Sequence, residues 1–114
     1  MVSTEENMSR LQEVMKRQLK TAEKLLSKQR MNVKMIENDE KQLAIQSIRN
    51  MELSYKHMHD LVVQYDSMME FSGKFRKFIY YTEFISIEFS TEQKRLFSLS
   101  DLISSLLIKV TPFT

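Results

Sequence analysis

The sequence contains no cysteine and no tryptophan, and it has only one glycine, Gly73, and one proline, Pro112. Without cysteine there can be no disulfide, thiolate zinc site or cysteine nucleophile. A single glycine also argues against glycine-rich phosphate loops and against turn-rich β architectures. These absences favour an all-helical chain, and 114 residues are enough for one domain with a small core.

Long apolar runs and targeting segments are missing as well. No stretch of about 18 uninterrupted apolar residues occurs, which argues against a membrane-spanning helix. The first residues, from Met1 to Asn7, are polar and acidic, and no apolar signal core follows them. We therefore expect an intracellular protein, cytoplasmic and not secreted.

An amphipathic stripe at helical spacing is the strongest pattern in the chain. Its steps of three to five residues average roughly 3.6, the period of an undistorted α-helix. Gln29 and Glu40 are its polar interruptions. The stripe predicts a coiled-coil-type helical region over residues 1–72 that packs against partner helices. The predicted interface consists of Leu11, Met15, Leu19, Ala22, Leu26, Val33, Ile36, Leu43, Ile48, Met51, Tyr55, Met58, Val62, Tyr65 and Met69.

The pattern leaves open whether this region is one long helix or an antiparallel hairpin. A single helix over its length would measure roughly 100 Å and could not be stable alone. The candidate break is a turn at residues 37–40, where Asn38 or Asp39 could cap a second helix.

The two halves of this region carry opposite charge. From Arg10 to Lys34 there are eight basic residues and two acids, whereas from Glu37 to Glu70 there are seven acids and three basic residues. An antiparallel arrangement sets unlike charges side by side, and a parallel pair of copies does not. We therefore predict antiparallel pairing, within the chain or between two copies.

Within the basic half, five residues form a row at steps of one to four positions. This basic row consists of Lys16, Arg17, Lys20, Lys24 and Lys28. Its side chains either face the acidic half or make an electrostatic contact with an acidic partner, an anionic membrane surface or nucleic acid. No aromatic residue interleaves with the row, so the pattern does not favour nucleic acid as a partner.

Residues 73–114 form an apolar, aromatic-rich tail, for which the pattern predicts one or two shorter helices. Residues 85–89 alternate as a strand would, and residues 90–93 resemble a capping box that opens a last helix with serines opposite its apolar face. Gly73-Lys74-Phe75 can also be encoded by a splice-donor sequence. This raises the hypothesis of a truncated isoform whose tail was never selected to pack.

No set of residues indicates a catalytic site, a metal or a cofactor. His57 and His59 lie about 200° apart on a helix and cannot share one ion. The sequence predicts a non-enzymatic structural or scaffolding coiled-coil protein that acts through helix–helix interaction or self-association. One alternative is a peripheral membrane protein that uses the basic helix and the apolar tail, and another is a compact helical-bundle modulator of viral type.

Overall fold

The computed structural model describes residues 4–37, 39–70 and 75–110, and the side chains of residues 6–37, 39–70 and 80–108. This part of the chain is all-helical, with α1 at Thr4–Lys34, α2 at Lys41–Glu70 and α3 at Phe75–Val110. The predicted boundary between residues 72 and 73 lies outside the described residues, as does Asn38 of the predicted turn.

The three helices run up, down and up along one rod. The Tyr65 hydroxyl donates to the Met8 carbonyl at 2.9 Å, so the end of α2 lies beside the start of α1. The Gln29 amide reaches Ser100, so α3 runs parallel to α1. The rod measures 60 × 24 × 17 Å with a radius of gyration of 17.8 Å, against about 13 Å for a compact globule of similar length. The molecule is therefore elongated.

The apolar stripe is divided between two helices, not carried on one. α1 ends at Lys34, where the Met35 and Ile36 amides donate to the Asn32 and Val33 carbonyls in tight turns. The Lys41 ammonium then donates to the Val33 carbonyl at 2.7 Å. A cation at the carbonyl end of a helix is favourable because it meets the negative end of the dipole. The first residue of α2 thus caps α1.

The tail is helical, as predicted, but its division into shorter helices is not confirmed. α3 is a single helix of 36 residues, longer than the 31 and 30 residues of α1 and α2. No helix begins at Ser90, because α3 continues through this residue. The next hydroxyl, that of Thr91, donates to the Ile87 carbonyl four residues earlier, at 2.9 Å. A hydroxyl bonded inside the helix does not cap a new one.

Residues 85–89, whose apolar and polar side chains alternate as in a strand, are also helical. Ile85 and Phe89 are buried, while Ile87 between them is 60% exposed. In a strand all three would share one face, whereas a four-residue step on a helix places only the outer two together.

All three helices contribute to one hydrophobic core. α3 adds its own buried residues to those of α1 and α2, namely Ile85, Phe89, Leu96, Ile103 and Leu106. α3 therefore packs with the first two helices and not apart from them. The splice-derived origin of the tail stays a hypothesis about the gene.

Candidate interaction surfaces

The predicted partner-helix interface lies largely inside the chain's own bundle. Ten of its residues are buried in the core, namely Met15, Ala22, Leu26, Val33, Ile36, Ile48, Met51, Met58, Val62 and Tyr65. Four more are partly buried against that core, namely Leu11, Leu19, Tyr55 and Met69. Leu43 differs, because 45% of it is exposed. A partner helix would reach the stripe only by displacing a helix of the same chain, and contact with a partner there stays a prediction.

Two ion pairs join the oppositely charged halves across α1 and α2. Lys16 lies 3.3 Å from Asp66, and Arg30 lies 3.5 Å from Glu52. Both pairs are roughly half exposed, so each is worth at most about 1 kcal/mol. They favour the antiparallel orientation without supplying much stability.

The other four residues of the basic row do not face the acidic half. Arg17, Lys20, Lys24 and Lys28 are all exposed, and they lie on the side of α1 opposite the buried Ala22 and Leu26. We call these four residues the basic face.

An open groove lies between α2 and α3. It has a volume of about 320 Å³ and is lined by Asn50, Leu53, Ser54, His57, Glu92, Arg95 and Leu99, which we call the α2–α3 groove. Leu53 stands on its rim with 65% of its surface exposed. Ser54 and Glu92 are buried and form its floor.

Glu92 is the buried acid of this groove. Its carboxylate accepts a hydrogen bond from the Arg95 guanidinium at 2.6 Å, and the His57 Nδ1 lies 3.4 Å from the same oxygen. A buried carboxylate is tolerated when it is paired and hydrogen-bonded. Sequence reasoning missed this cluster, because it placed Glu92 at a helix start and because His57 and Glu92 meet only when α2 and α3 pack.

The described residues contain no group of three or more His, Asp or Glu side chains that could hold a metal ion. His57 pairs with Glu92, and His59 lies 3.7 Å from Asp60 at the surface. The two histidines therefore serve different contacts.

A polar network crosses the core between α1 and α3. The buried Gln29 amide donates to the Ser100 hydroxyl at 2.8 Å and to the Ser104 hydroxyl at 3.0 Å. Its oxygen accepts from Asn32 at 3.0 Å. Gln29 appears in the sequence as an interruption of the stripe, and the serines were expected on the polar side of α3. In the structure, Gln29 instead forms hydrogen bonds with those serines, and Ser100 is buried.

The outer side of α3 carries apolar residues that the core does not use. Tyr80, Phe84 and Ile87 are each more than half exposed, and their spacing of four and three places them on one helix face. This face lies on α3 and the basic face lies on α1. A membrane contact that combines the basic helix with the apolar tail stays a prediction.

Within residues 4–37, 39–70 and 75–110, no helix combines the length and apolar character needed to cross a membrane.

Comparison of the chain with family models, with curated proteins and with solved structures finds no match.

Proposed function

We propose that this chain is a non-enzymatic scaffold that holds an amphipathic helix of a protein partner in the α2–α3 groove. The observation that carries the proposal is Leu53, an apolar side chain 65% exposed on the rim of an open groove with a polar floor. Covering a leucine of this kind contributes about 1.5–3 kcal/mol to an association.

The shape of the groove favours a helix as its occupant. On α2 the lining residues follow steps of three, one and three, from Asn50 through Leu53 and Ser54 to His57, and on α3 they follow steps of three and four, from Glu92 to Leu99. Side chains at these spacings form ridges that run along each helix, and the furrow between two ridges accepts the side chains of a third helix. The coiled-coil character predicted from the stripe belongs to this proposal, as the packing of the added helix.

The polar residues of the lining determine how the partner helix is oriented along the groove. Arg95 has a side chain 57% exposed, and that of His57 is 45% exposed, at the end of the groove near Glu92. Leu53 and Leu99 lie toward the other end. The fitting partner helix therefore presents apolar side chains to the leucines and a hydrogen-bond acceptor, such as a carboxylate, to Arg95.

The proposal is tested by replacing Leu53 with a photo-crosslinkable amino acid in cells and identifying the crosslinked peptide by mass spectrometry. Val63 is the matched control, because it is an exposed apolar residue of the same helix outside the groove lining. We expect an adduct with one defined helical segment from position 53 and none from position 63. Equal labelling from both positions, or no adduct at 53, would refute the groove as a partner site.

Self-association is distinguished by sedimentation equilibrium of the purified chain. If the crosslinked segment belongs to a second copy, the apparent mass rises with concentration and L53E removes the rise while V63E does not. If the chain is a monomer at all concentrations, the helix that binds the groove belongs to a different protein.

A cytoplasmic location is part of the same proposal. No observation favours a viral-type modulator over a scaffold.

A further inference from the structure

The basic face is a straight line of positive charge on the outside of the rod. Arg17, Lys20, Lys24 and Lys28 succeed one another at steps of three and four residues, so they stay on one side of α1 over about 16 Å. Glu13, also exposed, lies one turn before Arg17, and the purely basic part of this side begins at Arg17.

These four charges are not neutralised within the described part of the chain. The ion pairs of α1 use Lys16 and Arg30, and no described carboxylate lies within ion-pair distance of Arg17, Lys20, Lys24 or Lys28. Like charges four residues apart on a helix repel one another. Four unpaired cations in a row therefore lower the stability of α1, and an external anionic surface would relieve the repulsion.

Two exposed methionines lie beyond the basic face, Met31 within α1 and Met35 one residue after the helix ends at Lys34. Met31 and Met35 follow Lys28 at steps of three and four, and they are 62% and 64% exposed. Together with the basic face they form a side that is cationic in its middle and apolar at one end. Amphipathic surfaces that lie in the membrane interface combine lysine-rich and apolar side chains in this way.

We infer that this side of α1 is a docking surface for an anionic lipid bilayer, which the rod meets lying flat. Lysine and arginine each bind the surface potential of anionic lipids, while Met31 and Met35 reach the boundary between headgroups and acyl chains. This surface is separate from the α2–α3 groove, so a partner helix and a membrane can be held at the same time.

Nucleic acid fits this side less well than lipid does. Three of the four cations are lysines, which act as hydrated point charges without the fork geometry that arginine offers to a phosphate. No aromatic side chain stands among them for a base to stack on. The exposed methionines have no role against a phosphate backbone, whereas a bilayer interface accepts them.

The test is partitioning of the whole chain onto vesicles of phosphatidylcholine with phosphatidylserine at low ionic strength, measured by co-sedimentation. We expect binding that weakens with added salt, and a loss of about a hundredfold in the K20Q/K24Q/K28Q variant, which is about fivefold per charge. A K20E/K24E/K28E variant is expected to lose binding altogether. Circular dichroism checks that each variant keeps its helices.

The matched control is R49E/K56E/K94E, which changes the net charge as much as the glutamate variant but at exposed positions of α2 and α3. We expect this control to remain within a few-fold of wild-type binding. Equal losses in the two variants would show that net charge, not the face, governs binding and would overturn the inference. Equal binding to vesicles of phosphatidylcholine alone, or stronger binding to single-stranded RNA than to anionic vesicles, would overturn it as well.

Discussion

At the scale of single residues, Gln29 shows how a polar side chain in a small core can fix the pairing of helices. Its amide bonds two serines of α3, one buried and one half-buried. If α3 slid by one turn, those hydroxyls would leave the amide, and a buried polar group without a partner costs about 1–3 kcal/mol. The network therefore selects one register among several that apolar contacts alone would tolerate.

Replacing Gln29 by methionine tests this role. Q29M keeps the volume of the side chain but leaves the Ser100 hydroxyl without its amide partner, so we expect a loss of about 1–3 kcal/mol in the free energy of unfolding. Adding S100A and S104A removes the stranded hydroxyls and should recover most of that loss. Urea unfolding measures both variants.

Gln46 provides the control, because it is exposed and its amide bonds only the neighbouring Asn50. Q46M should stay within about 0.5 kcal/mol of the wild type. A Q29M variant as stable as Q46M would show that the network does not contribute.

The buried carboxylate of Glu92 leads to an asymmetric prediction. Removing Arg95 leaves a buried anion with His57 as its remaining neighbour, whereas E92Q leaves Arg95, which is 57% exposed and can be solvated. We therefore expect R95M to lower the free energy of unfolding by about 2–4 kcal/mol and E92Q by less than half of that. The E92Q/R95M double variant should be more stable than R95M, and chemical denaturation compares the three.

Two tyrosines predict how stability responds to alkaline pH. Burial raises the pKa of both Tyr65 and Tyr55 above the ordinary value of 10.0. The folded state therefore favours the protonated phenol. Their contribution is complete below the unfolded pKa near 10 and is lost as the pH rises through the folded-state values, because ionisation then favours the unfolded chain.

We accordingly expect the free energy of unfolding to fall as the pH rises above 10.0, and the Y55F/Y65F variant to show a shallower fall. At neutral pH, Y65F should lose about 1 kcal/mol, since the hydroxyl no longer bonds the Met8 carbonyl. Tyr80 is 77% exposed and supplies the comparison, and Y80F should leave the stability at neutral pH unchanged.

At the scale of helices, the sequence predicted an all-helical chain but did not determine its division into α1, α2 and α3. Regular apolar spacing fixed the helical period of the first two, although it could not say that the stripe would be buried within one chain. α3 was divided because residues 90–93 have the composition of a cap. The Thr91 hydroxyl instead bonds within the helix, and Glu92 is held by His57 from α2. The contact between Glu92 and His57 is tertiary, and such contacts override a local start signal that the sequence pattern alone suggests.

The basic face allows a stability prediction within α1. In K24E the new carboxylate lies one turn from both Lys20 and Lys28, which replaces two repulsive pairs with two attractive ones. Each pair is worth a few tenths of a kcal/mol, so we expect K24E to be more stable than the wild type by roughly 0.5–1 kcal/mol. Thermal unfolding at low salt measures the gain.

Lys56 makes the opposite comparison on α2, because its neighbours one turn away are Glu52 and Asp60. K56E should be less stable than the wild type by a similar amount. A K24E variant that is no more stable than the wild type would contradict the view that the basic face is strained by its own charge.

At the scale of the whole molecule, the charge asymmetry between the two halves did not indicate how few charges form ion pairs between helices. Two ion pairs span α1 and α2, and the basic face points away from both. The apolar face of α1 packs in the core, so the basic residues on the opposite side of the helix point to solvent and not to α2. The groove between α2 and α3 could not be predicted, because it requires the angular position of α3.

Because α3 supplies part of the common core, the first two helices should not keep their structure without it. A chain of residues 1–72 is expected to show low helicity by circular dichroism and to recover it when a peptide of residues 73–114 is added. The reason is that removing α3 would expose the apolar residues of α1 and α2 that it covers. A stable, fully helical fragment 1–72 would show instead that α3 is an accessory layer.

An odd number of long helices has a mechanical consequence. With three helices running up, down and up, α1 begins near Tyr65 at one end of the rod, and α3 reaches past Gln29 toward the other. Tension applied between the start of α1 and the end of α3 would load the helix interfaces lengthwise, in shear, so that many contacts resist together. In a four-helix bundle of the same kind both ends of the chain would lie at one end of the rod, and tension would separate the helices one contact at a time. The three-helix arrangement is therefore expected to resist tension better.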